Sequence, residues 1–455
     1  MPTYKTPDVY VEEISLLPPS VAEVGTAIPA FVGYTAIAQK AKADDLLGVP
    51  TKIRSLKQYE LYYGFPFEDK ISATVAKADG AVEIVEPDPT YLLYWSVQLY
   101  FDNGGSECYI VSAGKYKTPP AVEFQALSDA LATVTAEDEP TLLVVPEAVQ
   151  LTAGDFSKMA EQMLLQCGDL RDRFAILDVR DGDIELDSAK LKTNRGAFGM
   201  NNLKYGAAYY PYLHTKIPYY VNEDKDNVRV KVDAAAEKSL GELETLDTAA
   251  FNLVRAKLAE RSVVLPPSGA VAGVYAATDA ARGVWKAPAN VSLNSVAEPL
   301  IRLDSKAQEE FNVDTTGGKS INAIRAFSGK GTLVWGARTL AGNDNEWRYI
   351  SVRRFFNMVE ESVKKSTYWA VFEPNDANTW VKVRGMIESY LLDKWREGAL
   401  AGAVPKDAFF VKCGLGITMN SQDILEGRLN VEIGLAVVRP AEFIILKFSH
   451  KLQTS

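Results

Sequence analysis

The C-terminal third of the chain has the most regular pattern of hydrophobic and polar positions. Apolar residues recur at helical spacing over 347–365 and again over 375–398, where Asn375 and Asp376 are good capping residues. The second helix carries a long apolar stripe, made of Trp380, Val383, Ile387, Leu391 and Trp395. The residues around these helices favour strands, at 332–335, 368–372 and 409–413.

Strand and helix patterns also alternate through the first two thirds of the chain. Strands are predicted at 28–34, 108–112, 141–145 and 174–179, and helices at 91–101 and 156–167. This order favours an α/β layer. The segment 219–260 is more charged and is interpreted as a surface elaboration. Together the patterns predict a mixed α/β and α+β fold, and 455 residues are enough for two or three domains.

The N-terminal segment carries a strand pattern without a local partner. Residues 8–14 favour a strand, with Val9, Tyr10 and Val11 at its centre. Prolines on both sides separate this strand from its neighbours. We therefore expect residues 1–20 to form an isolated strand on a tether.

The C-terminal segment carries two further strand patterns. A predicted strand at 430–438 has one apolar face, formed by Val431, Ile433, Leu435 and Val437. After Pro440, the segment 442–448 is apolar on both faces, with Ile444 and Leu446 on one of them. A strand that is apolar on both faces needs cover on both. We expect another subunit to supply that cover.

Composition excludes several classes of protein. The net charge of −10 argues against a nucleic-acid binder, since phosphate neutralisation needs an excess of Lys and Arg. No apolar run approaches the length of a membrane span, and the first residues lack the pattern of a signal peptide. The three cysteines, Cys108, Cys167 and Cys413, are too far apart to suggest a disulfide framework. We expect reduced core thiols in a chain made in the cytoplasm.

Two glycine-containing segments resemble parts of nucleotide-binding motifs. Gly317-Gly318-Lys319-Ser320 has the ending of a phosphate-binding loop, but the full motif needs glycine at position 313, which is Val313. Gly414-Leu415-Gly416 lacks the third glycine of a dinucleotide fingerprint, where Met419 stands. A turn and a strand end are the favoured interpretations.

The sequence offers no set of residues for catalysis or for metal binding. Asp178, Asp181 and Asp183 lack the glutamate that would follow in a calcium loop, so we interpret them as a solvated turn. Only two histidines are present, His214 and His450, which excludes a histidine-based zinc site and disfavours a catalytic triad. We predict no enzyme activity, no cofactor and no metal.

Several blocks along the chain resemble the contractile tail sheath family of phages and injection systems. These are PDVYVEE (7–13), AFVGYT (30–35), FDNGG (101–105), PPSGAVAG (266–273), GVWKAPAN (283–290), WGARTL (335–340), VRR (352–354), FEPND (372–376), WREGAL (395–400) and the closing segment 434–448. One block alone would be weak, but the shared order identifies the chain as a member of the family.

The resemblance implies a structural subunit rather than an enzyme. Sheath proteins of this family form stacked rings of six subunits around an inner tube, and their contraction drives the tube through a target envelope. Terminal arms add strands to a sheet in neighbouring subunits, which fits the strand patterns at both ends of this chain. The expected partners are further copies of the chain, the inner tube protein, baseplate and terminal cap proteins, and possible sheath paralogues. Nucleic acid and membrane are not expected partners.

The family pattern suggests four regions in this chain. An N-terminal arm at 1–20 and a C-terminal strand arm at 430–455 enclose outer and middle domains at 21–330 and an inner domain at 331–429. Assembly is expected in the bacterial cytoplasm, within either a virion tail or a released phage-tail-like particle. The alternative function is a cytoplasmic α/β enzyme without a recognisable motif.

The predicted inner domain carries cations that look exposed on its two helices. They are Arg353, Arg354, Lys364, Lys365, Lys382, Arg384, Lys394 and Arg396. A subset, Lys382, Arg384, Lys394 and Arg396, is our candidate contact with an acidic tube exterior. The alternative interpretation is an ordinary solvated helix face.

Overall fold

The structure is a computed structural model that describes residues 20–445. The strands are β1 (Pro29–Thr35), β2 (Thr51–Ile53), β3 (Ile71–Ala76), β4 (Ala81–Val85), β5 (Cys108–Lys115), β6 (Leu142–Val144), β7 (Phe174–Asp178), β8 (Gly206–Tyr210), β9 (Leu213–Pro218), β10 (Val228–Val232), β11 (Lys238–Ser239), β12 (Ser262–Leu265), β13 (Val291–Ser292), β14 (Val296–Pro299), β15 (Ile321–Phe327), β16 (Gly331–Val334), β17 (Phe409–Cys413) and β18 (Val431–Leu435).

The helices complete a mixed α/β architecture, as the sequence predicted. They are α1 (Leu56–Tyr63), α2 (Leu93–Asp102), α3 (Phe124–Thr133), α4 (Ala153–Leu170), α5 (Ser188–Gly196), α6 (Leu240–Leu246), α7 (Thr248–Ala259), α8 (Ser268–Arg282), α9 (Ser305–Asn312), α10 (Ile350–Ser366), α11 (Ala377–Arg396), α12 (Pro405–Ala408) and α13 (Ser421–Leu425).

The chain forms two compact units. The large unit contains Gly25–Asn357 and the described C-terminal residues 439–445, and the small unit contains residues 20–24 and 358–438. The predicted inner domain began at residue 331, but β16 pairs with β15 and lies in the large unit. The division of the chain into four functional regions remains a prediction.

A nine-stranded sheet forms the centre of the large unit, in the order β13-β16-β15-β8-β7-β6-β1-β5-β2. The strands from β15 to β5 in this order run parallel to their neighbours, and antiparallel strands lie at both edges. Helices α2 and α8 pack together and contact β1 and β7, while α3 and α4 pack together and contact the same two strands. Every residue of β1 and β7 is buried, as expected for strands covered on both faces.

A second sheet of the large unit has its own hydrophobic core. Its strand order is β11-β10-β3-β4, and α6 and α7 pack on it. The charged segment 219–260 was interpreted as a surface elaboration, but two of the four strands of this layer, β3 and β4, come from 71–85. The parallel pairing of β3 with β10 joins the two segments.

Two buried carboxyl groups hold the N-termini of α2 and α8. Glu147 accepts hydrogen bonds from the backbone N–H groups of Leu92 and Leu93, at 3.2 and 2.9 Å. Asp178 accepts one from the backbone N–H of Ser268, at 2.8 Å. Burial, opposed by these hydrogen bonds, raises the pKa of each carboxyl group to about 7. The interpretation of Asp178 as part of a solvated turn is therefore wrong.

The small unit is built on α11 and on the C-terminal part of α10. Helix α11 begins where the sequence predicted, because the Asp376 carboxylate accepts hydrogen bonds from the backbone N–H groups of Asn378 and Thr379. The predicted strand at 368–372 is wrong: Tyr368–Ala370 form a short 3-10 helix. Within residues 20–445 no strand pairs with this segment, and local propensity alone does not form a sheet.

Candidate assembly surfaces

The C-terminal strands β17 and β18 form a two-stranded antiparallel sheet in the small unit. Phe409 pairs with Leu435 and Cys413 pairs with Val431. Because side chains alternate along a strand, Val431, Ile433 and Leu435 share one face, as predicted. Phe410, Lys412 and Glu432 lie on the exposed opposite face, where the Lys412 ammonium is 3.5 Å from the Glu432 carboxylate.

Both outer edges of this small sheet are open in the described part of the chain. No third strand within residues 20–445 joins β17 and β18. The residues after β18 are held differently, because Val437 forms an isolated bridge with Leu400. Two strands alone are marginally stable, and open edges offer unpaired backbone groups to further strands.

The small unit also exposes large apolar side chains around the turn between α10 and α11. Phe372 is fully exposed, and Tyr368 and Val371 are more than half exposed. Phe372 also has a φ of 68°, in the left-handed region that a bulky residue rarely adopts. Exposed apolar clusters and strained residues are both concentrated at binding sites, so we assign this turn to the candidate surface.

Residues 20–24 are fixed to the helices of the small unit. The backbone N–H groups of Ala22 and Val24 donate to the hydroxyls of Ser366 and Ser362, at 3.0 and 3.1 Å. The Glu23 carboxylate forms an ion pair with Lys394. These contacts fix the point at which the predicted N-terminal arm begins. The arm residues Val9, Tyr10 and Val11 lie outside the described residues.

The C-terminal segment 439–445 is fixed to the large unit through two side chains. Arg439 donates to the backbone carbonyl of Asn345 at 2.7 Å. The Glu442 carboxylate accepts from Arg338 Nε at 2.9 Å and Nη2 at 2.6 Å, and from the Tyr349 hydroxyl at 3.2 Å. The strand predicted at 442–448 is absent from its described part, 442–445, and the predicted arm residue Leu446 lies outside the described residues.

The four candidate tube contacts differ sharply in exposure. Lys382 and Arg396 are exposed on α11, and Arg384 is partly exposed beside Glu388. The expectation that Lys394 is exposed is wrong: it is 6% exposed, and its ammonium pairs with Glu23 and Glu397.

Arg353 and Arg354 on α10 are also buried, contrary to expectation. The guanidinium of Arg354 is 2.5 Å from the Asp279 carboxylate, and that of Arg353 lies 4.2 Å from the centre of the Trp347 ring. Both arginines therefore hold the large unit together rather than face a partner. The candidate tube contacts that remain on the surface are Lys382, Arg384 and Arg396.

The residues that resembled a phosphate loop serve the local structure. Lys319 is buried and donates to the backbone carbonyl of Arg195 at 2.9 Å, and the Ser320 hydroxyl donates to that of Asn312 at 2.7 Å. Their donors are thus engaged within the chain, in agreement with the predicted turn.

Cys108, Cys167 and Cys413 are free and buried, as expected. Over residues 20–445, no group of side chains could hold a metal ion, and no helix is long and apolar enough to cross a bilayer.

The sequence did not predict the side-chain contacts that fix the two terminal segments. Glu23 and Lys394 are far apart in the chain, and so are Arg338 and Glu442. Arg338 lies within WGARTL and Glu442 within the closing segment, both of which resemble the sheath family. The family resemblance of these two blocks marked both residues, but it did not indicate that the Arg338 and Glu442 side chains are in contact.

Part of the chain matches curated phage proteins. Residues 342–451 match the family described as phage tail sheath C-terminal domain. Over 141 residues the chain is 27% identical to the tail sheath protein of Vibrio phage KVP40, a match that covers 30% of this chain. The chain spans 20% of the length of that relative.

Two solved structures match over nearly the whole chain. The first is the PVC sheath complex of an extracellular contractile injection system in its contracted state, with 32% identity, 99% of both chains covered and a TM-score of 0.67. The second is the baseplate of the anti-feeding prophage, with 30% identity, 99% of this chain and 100% of the other covered, and a TM-score of 0.66. Because the similarity to the PVC sheath chain extends over 99% of both chains at 32% identity, this chain belongs to the contractile tail sheath protein family.

Proposed function

We propose that this protein is the sheath subunit of an extracellular contractile injection particle. Copies of the chain assemble around an inner tube, and contraction of the sheath drives the tube into a target envelope. The observation that carries the proposal is the two-stranded sheet of β17 and β18, which has open edges within the described residues. The last described residues of the same chain, 443–445, are apolar and exposed. Such a chain can receive strands from its neighbours and offer strands to them.

Strand exchange suits a sheath because each contact joins different surfaces of two identical subunits. Contacts of this kind continue into a filament when they do not close into a ring. Each backbone hydrogen bond contributes about 0.5–1.5 kcal/mol net. A short added strand forms several such bonds, and together they stabilise the contact between subunits. The predicted arm residues belong to this proposal: Val9, Tyr10, Val11, Val431, Ile433, Leu435, Val437, Ile444 and Leu446.

The ring symmetry and the partners are part of the proposal. The similar chain of the anti-feeding prophage comes from a baseplate reconstruction with 6-fold symmetry, which supports rings of six subunits that start on a baseplate here too. An inner tube protein and a terminal cap protein complete the expected partners. The particle assembles in the bacterial cytoplasm before it is released.

An injection particle is preferred over a phage tail because of the extent of the similarity. The PVC sheath chain of an injection system matches 99% of this chain at 32% identity. Mass spectrometry of particles purified from the native host tests this choice. Capsid proteins in the same particles would contradict an injection system, and baseplate and tube proteins without a capsid would support it.

The assembly itself is tested by negative-stain electron microscopy of the purified chain. We expect hollow tubes, and a variant with Leu435→Asp and Val437→Asp should form none, because charges would enter an apolar layer. A matched control, Lys412→Asp, changes the exposed face of the same sheet. A well-folded chain that stays monomeric at all concentrations, with and without tube protein, would overturn the proposed function.

A further inference from the structure

The Arg338 side chain is held as a rigid receptor for a carboxylate. Its backbone N–H donates to the Asn322 side-chain oxygen and its backbone carbonyl accepts from the Asn322 amide, both at 2.8 Å. Its Nη1 donates to the backbone carbonyl of Asn312 at 3.1 Å. The remaining donors, Nε and Nη2, form a planar fork, which is the geometry that binds a carboxylate through two hydrogen bonds.

The carboxylate in this fork comes from the C-terminal segment. Glu442 places its two oxygens against Nε and Nη2, and the Tyr349 hydroxyl donates to one of them. The Arg338 side chain is 5% exposed and that of Glu442 is 17% exposed. An ion pair with little exposure is costly to break on one side only, because the remaining charge stays without its partner.

The residues that follow Glu442 contrast with it. Phe443, Ile444 and Ile445 are 72%, 80% and 78% exposed. Glu442 is thus held immediately before a run of uncovered apolar residues. Because successive side chains of a strand point to opposite faces, the position at which this run starts decides which face each residue presents.

We propose that the fork of Arg338 with the Tyr349 hydroxyl is an anchoring site for Glu442. It sets the register in which the residues that follow Glu442 pair as a strand with a neighbouring subunit. By holding Glu442, it makes Phe443 the first residue offered to a second copy of this chain. This inference rests on the proposed sheath function for the identity of the partner. Release of Glu442 allows the apolar run to slip, and a slip of one residue moves every side chain to the wrong face.

The anchor is tested first in the unassembled subunit, where the sheath function is not needed. Ile445→Cys introduces an exposed thiol for a spin label, while Cys108, Cys167 and Cys413 are buried. We expect restricted motion of the label in this variant and fast motion when Glu442→Gln is added. Glu432→Gln, which removes an exposed carboxylate from β18, is the matched control and should leave the spectrum unchanged. A spectrum that does not change when Glu442→Gln is added would overturn the anchor.

The register is tested by assembly of chains without the label. Glu442→Gln should lower the rate of tube growth about tenfold, the effect of losing one charge-assisted contact on the assembly step. Circular dichroism of the same variant checks that it is folded. Tube growth at the unmodified rate with a mobile segment would overturn the register-setting role. Absence of tubes from the unmodified chain would instead contradict the proposed function, while the spin-label result would still decide the anchor.

Discussion

The aromatic ring of Phe410 occupies the space next to Gly434 in which any other residue would place its Cβ. The two residues are direct partners in the pairing of β17 with β18. The Lys412 ammonium lies 4.4 Å from the centre of the same ring. This face of the small sheet therefore requires glycine at position 434, because a side chain there would displace the ring.

Gly434→Ala should weaken the sheet that receives neighbouring strands. The added methyl group overlaps the Phe410 ring, and overpacking of this kind costs about 1–3 kcal/mol. We expect a lower denaturation midpoint and fewer tubes at equal subunit concentration. Adding Phe410→Ala removes the overlap and should restore part of both. A double variant no better than Gly434→Ala alone would show that the ring is not the cause.

Phe372→Gly should separate the stability of the subunit from its assembly. The side chain is fully exposed and its φ of 68° suits glycine, so the free energy of unfolding should change by less than about 1 kcal/mol. Tube formation should fall, because a fully exposed aromatic ring is lost from the candidate assembly surface. Leu246→Ser, at an exposed position in the second sheet layer, is the control and should assemble normally. Normal tubes from Phe372→Gly would remove the turn from the assembly surface.

The stability of the large unit should fall as pH rises from about 4 to about 7. Glu147 and Asp178 have pKa values raised to about 7 by burial, so the folded chain binds their protons more tightly than the unfolded chain does. Their stabilising effect is complete below their unfolded pKa and is lost as pH rises through about 7. Urea unfolding at several pH values measures this slope.

Glu147→Gln is the matched variant for this pH dependence. It removes the titration of one of the two buried carboxyl groups and leaves that of Asp178. The variant keeps an oxygen for the N–H groups of Leu92 and Leu93 but no longer titrates. At about pH 8 it should be more stable than the unmodified chain, by on the order of 3 kcal/mol, which corresponds to the pKa shift of Glu147. An unchanged pH dependence would mean that this carboxyl group does not titrate in the range.

Charge reversal on α11 tests the predicted contact with the inner tube. Lys382→Glu, Arg384→Glu and Arg396→Glu change exposed or partly exposed side chains, whereas Lys394 must stay because it pairs with Glu23. Exposed ion pairs contribute about 0–1 kcal/mol each, so the triple variant should still form sheath but enclose less tube. Extended particles filled with tube would reject this contact.

Deletion of residues 1–19 should leave a folded subunit that does not form tubes. The deletion spares Ala22, Glu23 and Val24, which are fixed to the helices of the small unit. Circular dichroism and thermal unfolding should match those of the full chain. Loss of folding would show that the deleted segment belongs to the core of its own subunit.

The sequence by itself determined the elements whose cause is local. The stripe on α11 follows from helical spacing, and Asp376 caps the helix through its own following residues. The bounds of β17 were predicted without error, because its apolar run ends at a glycine. The order and spacing of short blocks also indicated the sheath family, since such blocks can be read along the chain without knowledge of the fold.

Tertiary structure decided every feature that depends on residues distant in the chain. The second sheet layer joins 71–85 to 228–259 through a parallel pair, and parallel pairing leaves no turn signal in the sequence. Arg338 and Glu442 are 104 residues apart, so no local pattern predicts their contact. Lys394 fitted a solvated helix face because Glu388 and Glu397 lie nearby on the same segment, but its ammonium is buried and pairs with Glu23. Burial of a charge depends on what the fold brings against it, and the spacing of one helix does not contain that information.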